Sequence, residues 1–303
     1  MSDPRPAGPL QRADGLLLAA IGAVGFSGKA IIVKLAYRYG VDAVTVIMYR
    51  MLFALPLFLV LSWWAGRGKP RLSAADLRLL FGLGFSGYYL ASFLDFSGLQ
   101  YISANLERLI LYLNPTIVLA FGALVLRTPV SIRQWTALGV SYLGVLLVFG
   151  HDAHVSGPHV LYGSLLVLGS AISYALYLVF SGQAVKRLGP LRITGVATSI
   201  ACVLCIGQFF LLRPPAALAV AAEVIWLSIL NATLCTFMPV LLVMFAVERI
   251  GAAATAQAGI IGPLATIFMS VLILGEPFTA WLAAGTALAL LGIWLLSRWR
   301  EQR

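Results

Sequence analysis

Residues 102–147 read ISANLERLILYLNPTIVLAFGALVLRTPVSIRQWTALGVSYLGVLL, and residues 250–295 read IGAAATAQAGIIGPLATIFMSVLILGEPFTAWLAAGTALALLGIWL. The two stretches align without a gap at an offset of 148 residues. Ile102/Ile250, Ala104/Ala252, Pro115/Pro263, Leu124/Leu272, Leu126/Leu274, Pro129/Pro277, Leu143/Leu291 and Gly144/Gly292 are identical pairs, and upstream Gly15 matches Gly163. The repeated unit is a series of long apolar segments, so the chain reads as two homologous halves built around the lipid bilayer.

Composition supports the same reading. Hydrophobic residues make up 61% and charged residues 11% of the chain, where soluble domains carry about 25% charge, and the mean hydropathy is +0.95. A helix needs roughly 20 apolar residues to cross about 30 Å of hydrocarbon. Ten such stretches run near 15–37, 43–64, 77–99, 102–126, 132–149, 160–183, 193–212, 224–247, 252–274 and 278–299. The expected fold is all-α and integral to the membrane: ten transmembrane helices in two five-helix repeats, 10–150 and 157–300. The first fourteen residues are polar and Pro-rich, and the apolar run after them belongs to the repeat. It therefore reads as a retained span rather than a cleaved leader.

The formal net charge is +10, and the placement of the charges, not a nucleic-acid partner, accounts for it. With the N-terminus inside, fifteen Lys and Arg residues fall in inner segments and only Arg38 and Arg213 in outer ones. This positive-inside bias puts both termini in the cytoplasm and calls for no nucleic-acid partner. Five spans per half is an odd number, so the second half enters the bilayer upside down, an arrangement whose binding site usually lies near the midplane.

The residues also resemble a known family. The second half ends in Gly251-Ala252-Ala253-Ala254, Gly262-Pro263, Leu274-Gly275-Glu276-Pro277 and Gly292-Ile293; the first ends in Ser103-Ala104-Asn105, Asn114-Pro115, Leu126-Arg127-Thr128-Pro129 and Gly144-Val145. Arg50 resembles an arginine found early in the second helix. The order and duplication are similar to the drug/metabolite transporter superfamily, EamA type with ten helices, and within it to exporters of aromatic amino acids and related metabolites. The resemblance implies a multi-pass protein of a bacterial-type inner membrane that exports small solutes without a cofactor. Three features depart from the pattern: Arg127-Thr128 stands where Gly-Glu is usual, Gly25-Phe26-Ser27-Gly28-Lys29 replaces the common Trp-Gly-containing start of the first helix, and that helix lacks the acidic residue that couples protons in the small multidrug members.

Ionisable groups inside a span are costly and should face a cavity or a partner. Lys29 sits near the middle of the first span after Gly22, Gly25 and Gly28. It is read either as an anchor for a substrate carboxylate or as the partner of Asp95 or Glu107. Asp95, Glu107 and Arg108 lie toward the outer side, where they form a gate, a structural pair, or, for Glu107, a receptor for an ammonium. Arg50 is read as fixing helix packing. Tyr88, Tyr89, Tyr112, Tyr174 and Tyr177 offer a ring and a hydroxyl to an amphipathic solute, with core packing the competing role. Asn114, Asn231 and Gln257 are the polar candidates, with helix–helix hydrogen bonding as the alternative. Pro115 and Pro263, at matching points of the fourth and ninth spans, mark loosened backbone that is tolerated where it lines a cavity. With Pro56, Pro239 and the first-helix glycines Gly22, Gly25 and Gly28 they are the expected bend points.

Cys202 and Cys205 read as packing, since no further ligands complete a metal site. His151, His154 and His159 read as part of a linker, so no metal is expected. No Gly-rich phosphate loop follows a strand, so ATP hydrolysis is not supported. A carrier fits better than an intramembrane enzyme, which would need clustered His, Asp, Glu or Ser, or than a channel with rings of polar residues. A multidrug or nucleotide-sugar exchanger of the same superfamily is the nearer alternative. Substrate, proton coupling and oligomeric state, monomer included, stay open at this point.

Overall fold

A computed structural model describes residues 9–125, 131–156, 159–259 and 261–300. The Arg127-Thr128-Pro129 turn lies outside these residues, as do the side chains of Pro115, His154 and Gln257. Every regular element among the described residues is helical, as lipid requires of a chain that must satisfy its own backbone N–H and C=O groups.

In chain order the helices are α1 (Pro9–Tyr37), α2 (Ala43–Gly66), α3 (Ala74–Gly84), α4 (Ala91–Leu99), α5 (Ala104–Leu111), α6 (Asn114–Val125), α7 (Ile132–Ser156), α8 (His159–Leu188), α9 (Pro190–Leu212), α10 (Ala222–Ala232), α11 (Met238–Ala258), α12 (Ile261–Met269) and α13 (Ala280–Arg300). Among the described residues seven helical segments are long and apolar enough to cross a membrane, and two shorter ones, Ile261–Leu274 and Ala280–Leu295, are apolar as well. Each of the ten expected spans has a helical counterpart, so the protein is an all-α, multi-pass membrane protein.

Local chemistry sets the helix starts. Asp42 accepts from Val44 N and Thr45 N at the head of α2. Ser73 and Asp76 form a reciprocal capping box on α3, and Ser103 accepts from Leu106 N at the start of α5. These side chains satisfy donors that have no partner in the first turn of a helix.

Three π-helical turns interrupt the spans. Phe85–Leu90 joins α3 to α4, Thr233–Phe237 joins α10 to α11, and Ser270–Leu274 follows α12. The first two begin 148 residues apart, so the same irregularity recurs at the same point of each half. π turns are uncommon and often mark functional positions.

The fourth expected span is two helices, broken at Tyr112–Leu113 just ahead of Asn114-Pro115. Proline supplies no N–H there, and side chains fill in: Asn114 Nδ2 donates to Leu111 O at 2.9 Å and Thr116 Oγ1 to Leu113 O at 2.5 Å. The ninth expected span begins later than its apolarity indicated. Residues 252–258 continue α11 past Val247, because the alanine-rich run favours helix and the breakers come only at Gly259 and Gly262-Pro263.

The packing interchanges the halves. α7 lies on α13 and α2 on α9, each a pair of repeat mates, while α1 packs on α11 and α12 as α8 packs on α4 and α6. Gly144 presses on Gly285 O and Ala289 N, and its mate Gly292 presses on Ala137 O and Ser141 N, the residues 148 positions earlier. Likewise Gly15 meets Arg249 and Ile250 as Gly163 meets Tyr101 and Ile102. The main apolar core, around Ile31, Ile47, Met51, Phe58, Phe96 and Leu99, fills the space between α1, α2 and α4.

Candidate functional site

The glycines of α1 bring it against the second half. A Cβ on Gly25 would stand 2.7 Å from Pro239 Cγ and 2.9 Å from Leu234 O, and one on Gly28 would stand 2.9 Å from Cys235 Sγ. Gly25 and Gly28 therefore serve close approach, the usual use of small residues between membrane helices.

Lys29, next in sequence, gathers two acids. Its Nζ donates to Asp95 Oδ2 at 2.5 Å and lies 3.0 Å from Glu107 Oε1, the latter at ion-pairing distance without hydrogen-bond alignment. The side chains of Asp95 and Glu107 are 4% and 0% exposed, so the carboxylates are cut off from water. One ammonium thus serves two carboxylates, and Asp95 Oδ1 and Glu107 Oε2 have no hydrogen-bond partner among the described residues.

Arg108, the neighbour of Glu107, turns to the other half. Its Nη2 donates to Ser27 Oγ at 3.0 Å, and the Ser27 hydroxyl lies 2.8 Å from both Ala23 O and Gly262 O. Tyr112 donates to Gly259 O at 2.7 Å, and the Arg108 guanidinium sits 5.4 Å from the Tyr112 ring centre. A Cβ on Gly262 would come within 2.7 Å of Tyr112 Oη and 2.8 Å of Arg108 Nη2. The break ahead of Asn114 and the break ahead of buried Pro263 are thereby tied to each other. Asn114 bonds across the break to Leu111 O of α5 and leaves Oδ1 buried without a partner among the described residues.

Arg50 of α2 is 7% exposed. Its Nε donates to Thr236 Oγ1 at 3.0 Å, and that hydroxyl donates to Asn231 O at 2.8 Å. The guanidinium lies 5.1 Å from the centre of the Phe96 ring, and Phe96 directly follows Asp95. Arg50 Nη1 and both polar atoms of the Asn231 side chain are buried without a partner among the described residues. Sequence reading gave Arg50 only a packing role. The signal that would have singled it out, the π turn that carries Thr236, leaves no mark in local sequence.

Tyr88, Tyr174 and Tyr177 come together. The Tyr88 and Tyr177 hydroxyls are 3.3 Å apart, and the Tyr174 and Tyr177 rings stack with centroids 5.5 Å apart. Gly87 makes room for this, since a Cβ there would stand 2.6 Å from Tyr177 Cδ2. Tyr89 instead leans on Phe85, with centroids 5.3 Å apart.

Toward the predicted outer face the two halves are laced together. Arg38 Nη2 donates to Leu274 O at 2.6 Å across the halves, while Lys34 Nζ donates to Ile102 O at 2.8 Å and Tyr37 to Phe96 O at 2.6 Å within the first half. Glu276 accepts from Ala104 N at 2.9 Å and from Asn105 Nδ2 at 2.8 Å, and so caps α5 from the opposite half. Burial raises the Glu276 pKa above its ordinary value despite these donors. A recess of about 360 Å³ lies among Lys34, Tyr37, Arg38, Leu274 and Glu276. Glu276 stood in sequence only as part of a turn motif; its reach across the molecule depends on the left-handed Gly275 (φ 72°) that redirects the chain after the third π turn.

Among the described residues no group of three or more His, Cys, Asp or Glu is arranged to hold a metal ion. His151 stacks on Trp281 and His159 lies against Tyr101, while Cys202, Cys205 and Cys235 are buried free thiols.

Comparison with known proteins agrees with this architecture. The EamA-like transporter family matches the chain twice, over residues 13–150 and 161–298. The uncharacterized transporter YcbK of Bacillus subtilis is 32% identical over 273 residues, covering 88% of this chain and 87% of YcbK. The uncharacterized inner membrane transporter YicL of Salmonella typhimurium is 25% identical over 261 residues, covering 82% and 83% of the two chains. A solved crystal structure superposes with a TM-score of 0.61 at 16% identity, covering 96% of this chain and 98% of its own, a likeness of fold.

Proposed function

The chain belongs to the EamA-like transporter family, and on that premise we propose that it is a secondary transporter exporting small organic solutes, amino acids and related metabolites foremost, by alternating access. The observation that carries this reading is the sealed cluster of Lys29, Asp95 and Glu107, with Arg108 next to Glu107 in sequence and Arg50 set against Phe96, the neighbour of Asp95. Each such group costs about 2.5–3.5 kcal/mol at the centre of a membrane helix on insertion scales. Five of them gathered where the halves meet fit a pathway for a polar solute better than a scaffold, for which apolar packing would be cheaper.

In this reading the solute sits between the charged cluster of the first half and the tyrosines Tyr88, Tyr174 and Tyr177. In this reading the cross-half bonds of Arg38 and Glu276 are the ones that would hold the outer side shut. Opening would break those bonds, with the irregular backbone before Pro115 and Pro263 and at the two matching π turns taking up the change. Both termini lie in the cytoplasm and the halves are inverted. The energy source is either a proton, carried by Asp95 or Glu107, or the gradient of the solute itself.

The test is a counterflow screen in proteoliposomes, run with and without a pH gradient, over amino acids, cationic drugs and nucleotide sugars. Saturable exchange of amino acids supports the proposal. Exchange of drugs or nucleotide sugars in their place moves the protein to another branch of the superfamily, and linear, non-saturating flux would make it a channel.

A further inference from the structure

We propose that Arg50 and Asn231 form the carboxylate-binding pole of the substrate site, and that Asp95 and Glu107 form its ammonium-binding pole, so that the solute is a zwitterionic α-amino acid. This rests on the transport reading above and names the groups by which that site would recognise its substrate.

Lys29 is the obvious anchor for a carboxylate, but its charge is already committed. Asp95 and Glu107 both lie within 3.0 Å of its Nζ, so a substrate carboxylate arriving there would be the third anion on one ammonium. Arg50 is in the opposite situation. Among the described residues it makes no ion pair, its Nε is held by the neutral Thr236 hydroxyl, and its Nη1 is buried with nothing to bond. Phe96 covers the guanidinium, which leaves the edge of the fork for acceptors, the geometry in which arginine takes a carboxylate.

Asn231, whose carbonyl receives the Thr236 hydroxyl, contributes a second donor without a partner and is 1% exposed. Buried donors left without acceptors are rare in folded proteins and call for an explanation such as a bound group. The Thr236 hydroxyl thus links the Arg50 guanidinium to the backbone carbonyl of Asn231, the residue that carries the second donor.

The unmet acceptors complete the picture. Asp95 Oδ1 and Glu107 Oε2 are buried without a hydrogen-bond donor among the described residues. Asp95 and Phe96 are consecutive in α4, one reaching Lys29 and the other lying against Arg50, so the two poles are linked through a single step of backbone. An ammonium placed by Asp95 and Glu107 would end their sharing of Lys29: each carboxylate would then have a cation of its own, and Arg50 would have an anion.

The experiment uses the full-length protein in proteoliposomes loaded with the twenty proteinogenic amino acids, with counterflow of each followed by radiolabel. The expected result is that the matching amino-acid amides, which lack the carboxylate, compete at least roughly tenfold less well than the acids. Arg50→Gln should slow exchange by roughly tenfold or more, with Arg50→Lys recovering part of the rate, as befits loss of a charge-assisted bond. Amides that compete as well as the acids, or Arg50→Gln exchange at the wild-type rate, would overturn the assignment while leaving amino-acid transport standing. If Arg50→Gln elutes as an aggregate, amide competition against the wild type decides alone. A wild-type protein that exchanges none of the twenty removes the transport reading and this assignment with it.

Discussion

Lys29 and Tyr177 stand 148 residues apart at matching points of the two halves, yet Lys29 carries an ammonium to Asp95 while Tyr177 turns a phenol to Tyr88. Their neighbours follow suit. Arg50 corresponds to Thr198, Thr236 to Tyr88, Asp95 to Val243 and Glu107 to Thr255. The first half thus holds the charges and the second their neutral counterparts, so a frame that repeats surrounds a site that does not. An amphipathic solute suits such a site, with its charged end in one half and its ring or chain in the other.

The buried ion cluster should dominate stability. Lys29→Met would leave Asp95 and Glu107 sealed from water without a counter-ion, and breaking such a pair costs about 3–5 kcal/mol. A marked drop in the thermal midpoint is expected in detergent or nanodiscs, with partial recovery when Asp95→Asn and Glu107→Gln are added. A Lys29→Met protein as stable as the wild type would show that the carboxylates do not depend on Lys29 for folding.

Gly144→Leu and Gly292→Leu should do similar damage. Each glycine abuts the backbone of the facing helix at mate positions, Gly285 and Ala289 for one and Ala137 and Ser141 for the other. Overpacking at such contacts costs about 1–3 kcal/mol. Monodispersity and melting of the two variants, compared side by side, check this; one variant tolerated and the other destroyed would mean that the two contacts are unequal.

Asp42 gives a pH signature outside the membrane. Partial burial works against its ionisation, but the hydrogen bonds from Arg213 and Thr45, together with the Arg213 charge, outweigh that effect and lower its pKa below the ordinary 3.8. A lowered carboxylate pKa stabilises the folded state above the ordinary value, and the contribution is lost as pH falls through the folded one. The melting difference between wild type and Asp42→Asn should hold from neutral pH down to about 4 and shrink below it. A difference that widens on acidification would contradict the Asp42–Arg213 pairing.

The inverted topology is open to labelling. Tyr39 and Arg187 are repeat mates near the ends of α1 and α8, and both are exposed. Cys202, Cys205 and Cys235 are at most 5% exposed, so native background should be low. An impermeant maleimide added outside intact cells should label Tyr39→Cys and miss Arg187→Cys until the membrane is opened. Labelling of both from the outside would remove the inversion.

Much of this was legible in sequence because it rests on period and length. Apolar runs marked the spans, the 148-residue offset marked the halves, and the cost of charge in lipid singled out Lys29, with pairing to Asp95 or Glu107 as one of its readings. What stayed hidden depends on backbone geometry or distance. The π turns at Phe85–Leu90 and Thr233–Phe237 keep the hydrophobic pattern of ordinary helix, so nothing announced Thr236 beneath Arg50. Glu276 lies 172 residues from the α5 terminus that it caps, a separation that no local pattern spans. α11 ran on past Val247 because apolarity marks what lies in lipid and says little of where a helix stops.

The crossing of α7 and α13 bears on ancestry. Ser141 donates to Ala289 O at 3.2 Å, and the two are repeat mates, so the contact joins a position to its own copy. Self-matching of this kind belongs to isologous dimers of identical subunits. A single half of this kind would present a surface able to pair with a second copy of itself in the opposite orientation, the arrangement from which a duplicated chain of this form would descend.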